Sequence, residues 1–396
     1  MRARAFSKAA RYRLVLSTKF KFTNMTAPLV VRLESELLTT TDSVDRALLS
    51  AKIACYHARI GEFESAESRR VALRKEFGTG QNARVSIMLM CLEGLLLYFK
   101  DLDPAARDRV LRANVLSIAF GERSLIALTS AWLSHIDFNQ GRYESMAKAL
   151  YKCFESIDAD DGTASSRASL VLGDAFTFTS DLAHAKAWYE HARVTANRMG
   201  DQATVGALTY NRAALHIASA RIRRLTTPLD STEVRFISAE VRSAINYQYV
   251  ARLISLDHLL RSSSIGVLML EDQFEQARVA IDQLVSLSEV PKGSAELALL
   301  YADQAHCLAR LGRVSEATAA AQAATAIATD GFDADDRAVI CGALCDYNST
   351  SGQVSSATTW RRACQTALSE HQKTIESLTI LLTPFLSGPQ EALCRP

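Results

Sequence analysis

The chain has 396 residues, 48% hydrophobic and 22% charged, with 17 glycines and 7 prolines; that excludes general disorder and leaves room for two ordinary domains or one elongated array with a continuous core. The net charge of +2 conceals an asymmetry, because positions 1–24 hold seven basic residues (Arg2, Arg4, Lys8, Arg11, Arg13, Lys19, Lys21) and no acidic one. Without them 38 basic residues face 43 acidic ones, so the body of the chain is a poor binder of polyanions.

Residues 1–24 have three readings: a tether to nucleic acid or anionic lipid, a disordered tail, or sequence upstream of a start at Met25, with the last two favoured. Phe6, Tyr12, Phe20 and Phe22 interleave with the charges, so nucleic-acid contact stays open here and nowhere else. Every apolar run near the N-terminus is broken by charge, and no run of 18 apolar residues follows, so neither a secretory signal nor a membrane span is expected. The eight cysteines lie scattered among apolar helical neighbours, without the dense spacing of a secreted disulfide framework. A cytoplasmic protein with reduced thiols is the expectation.

From residue 47 onward a turn signal recurs: a small or polar residue, a hydrophobe two positions later, and a small residue (Met in one copy) five positions later. Clear copies are Gly61-Glu62-Phe63 with Ala66, Gly141-Arg142-Tyr143 with Met146, Gly312-Arg313-Val314 with Ala317, and Gly352-Gln353-Val354 with Ala357. Weaker ones start at Lys100 (Leu102, Ala105), Ser180 (Leu182, Ala185) and Asp272 (Phe274, Ala277). The anchors are spaced 39, 41, 39, 92, 40 and 40 residues apart; the gap of 92 holds one more unit, with its turn near Ala220-Arg221-Ile222 and about a dozen inserted residues. Each unit reads as an antiparallel helix pair, the hydrophobe plugging the junction and the small residue letting the helices approach. Gly78, Gly121, Gly162, Gly200 and Gly331 read as helix ends between units. One pair cannot bury its own apolar face, so about eight stacked pairs with a period near 40 form an all-α solenoid over 25–383, followed by a loose tail, 384–396.

Ser169-Leu170-Val171-Leu172-Gly173 with Phe176, and Tyr210-Asn211 with Ala213, resemble the first helix of tetratricopeptide repeats. The chain lacks that family's proline at the repeat end, and its period exceeds the family's usual length of about 34. It more closely resembles the longer-helix variants in the superhelical regions of large bacterial transcription activators and in bacterial peptide-sensing regulators. That resemblance implies a right-handed superhelix recognising a protein or peptide on a concave surface lined by the first helix of each pair. On that geometry Leu48, Ala51, Cys55, Ile87, Met90, Gly94 and Leu97 face inward in the first two units, although ordinary core is the better reading for this apolar set. Arg167, Asp174, Thr177, Tyr210 and Asn211 make the middle of the groove polar, and His135 and His306 fall at comparable places. A groove graded in this way suits an amphipathic peptide.

Residues 221–257 break the pattern with a basic cluster (Arg221, Arg223, Arg224), a loop containing Pro228 and a helix opened by Asp230-Ser231-Thr232-Glu233. A partner contact through these arginines, Asn246 and Tyr247 competes evenly with a harmless longer helix. Catalytic look-alikes lack their context. Gly78-Thr79-Gly80-Gln81-Asn82-Ala83 follows a helical run rather than a strand, and Ser145-Met146-Ala147-Lys148 has no Lys-Thr-Gly partner. Asp158, Asp160, Asp161 and Asp333, Asp335, Asp336 lack calcium-loop spacing; Cys341 with Cys345 has no second Cys/His pair to complete a metal site.

The expected function is therefore that of a non-catalytic protein- or peptide-binding regulatory scaffold without cofactor or metal, a homodimer remaining open. The alternative is a small-molecule sensor related to activator superhelices; an enzyme or a nucleic-acid tether ranks lower.

Overall fold

The computed structural model describes residues 27–389 apart from positions 79, 81, 159, 160, 256 and 289. The basic arm, Met25, Thr79, Gln81, Asp160 and the end of the tail with Cys394 thus lie outside the described residues.

Among these residues every regular element is helical. Helix α1 (Pro28–Thr39) precedes eight consecutive pairs: α2 (Ser43–Ile60) with α3 (Phe63–Phe77), α4 (Ala83–Asp101) with α5 (Ala105–Phe120), α6 (Arg123–Asn139) with α7 (Tyr143–Ser156), and α8 (Gly162–Phe178) with α9 (Leu182–Met199). The second half continues with α10 (Gln202–Arg224) and α11 (Ser231–Ala251), α12 (Asp257–Leu270) and α13 (Phe274–Ser286), α14 (Ala295–Arg310) and α15 (Val314–Ile327), and α16 (Ala334–Thr350) and α17 (Val354–Leu382). The two helices of each pair touch, and first helices also stack side by side, α2 on α4, α6 on α8, α8 on α10 and α14 on α16.

Local chemistry explains most boundaries. Asp42, Asn82, Asp181, Asp201 and Ser294 each accept a hydrogen bond from the backbone N–H three residues on, opening α2, α4, α9, α10 and α14. Six of the seven anchors lie in the turn between partners. At the seventh, α4 runs past Lys100 and the chain reverses at Leu102, so the buried small residue is Ala106 and Ala105 is exposed. Ala66, Met146, Ala185, Ala277, Ala317 and Ala357 are all buried, as close helix approach requires. The plug role of the hydrophobe does not hold throughout, since Leu182, Val314 and Val354 are exposed.

Two further boundaries differ from expectation. The turn expected at 220–222 lies inside α10, which continues to Arg224 before the loop holding Pro228. Gly162 opens α8 rather than ending α7, which stops at Ser156. The apolar set of the first two units is core: Leu48, Ala51, Ile87 and Gly94 are buried, and Cys55, Met90 and Leu97 pack against the same cluster.

The array curls until distant units meet. Leu29 donates its backbone N–H to the Gly200 carbonyl at 3.3 Å, and Ile254 donates to Ile60 at 3.1 Å. Gly61 and Gly200 both hold positive φ at these junctions, and a Cβ would stand 2.6 Å from Ile254 and 2.7 Å from Pro28 respectively. At the other end α17 crosses back over the middle of the chain, placing Leu378, Leu382 and Phe385 in the core built by α6–α9. Phe385, expected in a loose tail, is only 2% exposed. Its burial fits its chemistry, because an aromatic side chain next to an unfilled apolar surface gains more there than in water.

Candidate functional site

Where the first and fifth pairs meet, charges are buried. Arg59, in the last turn of α2, donates from both Nη atoms to the Asp201 carboxylate at 3.0 and 2.9 Å, and to Thr204 Oγ1 at 2.6 Å. Asp201 is also the N-cap of α10. Burial opposes its ionisation, but Arg59, the Thr204 N–H and Arg167 together hold its carboxyl below the usual range.

Arg167 of α8 extends the cluster. It is 2% exposed and stacks over the Trp132 ring at 4.2 Å, with Arg59 at 5.5 Å from the same ring. Its sole protein hydrogen bond given by the described residues runs from Nη2 to Thr204 Oγ1 at 3.3 Å, while Nε and Nη1 are buried without partners. Burial and the neighbouring Arg59 lower its pKa to about 9. Burial and both guanidiniums also push the His135 imidazole well below its ordinary pKa, keeping it neutral. Two cations therefore share one fully ionised carboxylate.

Asp174 lies two helical turns along α8 and is 1% exposed. It accepts hydrogen bonds from Tyr189 Oη at 2.8 Å and Asn211 Nδ2 at 2.7 Å, and burial pushes its pKa up to about 7 against those bonds and Arg167. A folded pKa above the unfolded value means that the group's contribution to stability is complete below about pH 4 and is lost as pH rises to about 7. Asp174→Asn, with Asn211 turning its amide over, should flatten that slope and leave the protein more stable than wild type at pH 8; urea midpoints at pH 5 and pH 8 measure it. Identical pH slopes in the two proteins would refute the assignment.

The expected groove residues are thus not on a groove. Arg167, Asp174 and Thr177 are buried, Thr177 bonding back to the Gly173 carbonyl at 2.8 Å, and Tyr210 and Asn211 are half-buried, Tyr210 being hydrogen-bonded to Ser263. The physical reason is the stacking of successive first helices, which sets α10 against α8, while α9 brings Tyr189 onto Asp174 and α12 brings Ser263 to Tyr210.

Nor are the insertion's arginines a free basic patch. Arg221 donates to Asp303 at 2.6 Å, Arg223 pairs with Glu233, and Arg224 donates to the Met269 and Leu270 carbonyls at 2.8 and 3.0 Å. Arg221 and Arg224 staple the fifth pair to its successors, and Arg223 ties the two helices of that pair together. Tyr247 is half-buried and donates to the Gln202 carbonyl at 3.3 Å, whereas Asn246 is exposed. Of the ten residues, the structure joins Asp174, Thr177 and Asn211 around Tyr189 and brings Arg221 and Arg224 to one cavity. Sequence reasoning missed Arg59, Trp132 and Asp201, which carry no motif and meet only through closure.

Beside the cluster lies a cavity of about 670 Å³ between α1, α2, α4, α6 and the α8–α9 layer. Leu29, Leu33, Met88, Leu125, Leu128 and Trp132 supply apolar lining; exposed Arg32, Glu36, Lys52 and Arg198 mark the mouth, and buried Arg59 the depth. Two other cavities have different linings. One of about 700 Å³ between α7 and α16–α17 mixes exposed acids and bases, and one of about 410 Å³ meets Arg221 and Arg224, which are already paired.

No protein-family model matches the chain, and no curated protein resembles it significantly in sequence. Among the described residues no helix is long and apolar enough to cross a membrane, and no cluster of His, Cys, Asp and Glu has the arrangement to hold a metal. Ser145, the nucleophile position of the look-alike motif, donates to Asp137 at 2.6 Å and accepts from Arg107 at 3.2 Å, a packing role.

Proposed function

We propose that the chain is a non-catalytic regulatory binding module that receives a small ligand inside its curled array and passes the resulting change in closure to a protein partner. The observation that carries this reading is the cavity of about 670 Å³, lined mainly by apolar side chains with Ser124, Asp161 and Thr163 among them, and reaching a buried guanidinium with neighbouring unpartnered N–H groups. Such a concave, mostly apolar site with few polar groups at one end has the ordinary form of a small-molecule site. An extended peptide in an open groove is the weaker reading, because the polar residues it needs are buried.

A protein-docking reading keeps one supporting observation. Ile245, Tyr249, Val250 and Ile254 are exposed at the end of α11, beside the junction with the α2–α3 turn. A partner on that patch would sense closure. The regular turn positions support a tetratricopeptide-like solenoid of period near 40, and the resemblance to bacterial activators and peptide sensors, which implies a right-handed superhelix, supports a cytoplasmic regulator.

The test is thermal unfolding of the full chain in the low-molecular-mass fraction of its native cell extract, before and after removal of that fraction by dialysis. A reversible rise in unfolding temperature is expected, since a ligand that binds only the folded state stabilises it. No rise, together with capture of a protein that Val250→Asp abolishes, would replace the small-ligand reading with the docking one.

A further inference from the structure

We infer that the cavity beside Trp132 takes an amphipathic monocarboxylate, its head group at Arg59 and Arg167 and its apolar tail along Met88, Leu125 and Leu128; this rests on the small-ligand reading.

The head group follows from charge and from hydrogen bonds separately. Below about pH 7, where Asp174 near Arg167 is protonated, Arg59 and Arg167 carry two positive charges against the single negative charge of Asp201, and His135 is neutral. One positive charge is left over in a site from which water is largely excluded, a strongly unfavourable arrangement unless an anion joins it. A monoanion balances it. A phosphate dianion would leave an excess negative charge, and a neutral head would leave the cation uncompensated.

The hydrogen-bond tally agrees, for Arg59 Nε, Arg167 Nε and Arg167 Nη1 are buried N–H donors without partners. A carboxylate offers acceptor sites on both oxygens in the geometry that guanidinium N–H groups prefer. Arg59 lines the cavity itself and Arg167 stands behind the lining; both guanidiniums are within 5.5 Å of the Trp132 ring that forms part of the wall, so a carboxylate reaching Arg59 lies in the field of both.

The tail follows from the walls. Apolar side chains from four helices line the passage between the exposed, charged mouth and the buried arginines, and the volume suits an alkyl chain of roughly ten carbons or an aromatic body of similar size. Neither of the other cavities combines an apolar passage with an unbalanced buried charge.

Decanoate and decanol, titrated calorimetrically into the full chain at pH 6 and below their aggregation concentrations, separate head from tail. Wild type should bind decanoate about tenfold to a hundredfold more tightly than decanol, the range for hydrogen bonds to a charged group. Arg167→Met retains bulk on Trp132 and removes the charge, so its affinity for decanoate should fall to that for decanol without loss of urea resistance. Leu128→Trp, which fills the passage, should weaken both ligands. Equal affinities in wild type, or a preference for decanoate that survives Arg167→Met, would overturn the inference. Should Arg167→Met not fold, the contrast between the two ligands in wild type decides. Failure of both to bind, while the extract fraction still stabilises the chain, would overturn the carboxylate assignment and leave the small-ligand reading; failure of all three would remove both.

Discussion

Asp201→Ala should destabilise the protein by about 3–5 kcal/mol, measured as a fall in urea midpoint at pH 8. The carboxylate is buried and bound through both oxygens to Arg59, and it also accepts from Thr204 Oγ1 and N at 2.8 and 3.0 Å. Removing it leaves two buried guanidiniums with only the more distant Asp174 as counter-charge, and uncaps α10 as well. Combining Asp201→Ala with Arg59→Met should recover most of the loss, because the penalty lies in the stranded charge rather than in the pair's net worth. The depressed carboxyl pKa gives the pH dependence. The pair's stabilisation is present above the unfolded value of about 4 and disappears as pH falls through the still lower folded value. A loss below about 1 kcal/mol would place Asp201 on an exposed surface and the first and fifth pairs apart.

The second large effect is expected at the other end of the chain. Phe385→Ala should cost about 3–5 kcal/mol and speed hydrogen exchange in α9, where Trp188 packs at 5.5 Å from Phe154, itself 6.0 Å from Phe385. A phenylalanine in a loose tail would give a change within about 0.5 kcal/mol and leave α9 untouched.

The contrast between those two sites and the turns shows what sequence carries. Turn anchors are local: a glycine in a left-handed conformation, a nearby small residue and a capping side chain act within five positions, so Gly61, Gly141, Gly312 and Gly352 were visible. Leu102 takes the same left-handed role with φ 51°, and a leucine gives no such signal, so the left-handed residue lies two positions past the expected anchor and the buried alanine one past its expected place. Between 220 and 224 nothing stops a helix, so α10 continued toward Pro228.

Closure is different in kind. Arg59 and Asp201 are 142 residues apart, and the Ser255 hydroxyl reaches the Arg59 carbonyl at 2.6 Å across 196. Alone, Arg59 reads as a cation favouring a helix C-terminus and Asp201 as an N-cap, and both readings are correct. Nothing in either segment shows that they meet. Arg167 and Asp174 likewise have the helical spacing of a polar face, and that spacing is the same whether the face meets water or another helix. The polar character of the middle was legible; its burial depended on how closely α6, α9 and α10 pack on α8.

Curling is therefore the claim on which the buried cluster, the cavity and the functional proposal all depend. Small-angle X-ray scattering of the full chain in dilute solution measures it directly. A closed array should give a radius of gyration near that of a compact 396-residue protein, about 21 Å. A radius beyond about 30 Å would mean an open superhelix with Arg59 and Asp201 separated, and would contradict the account.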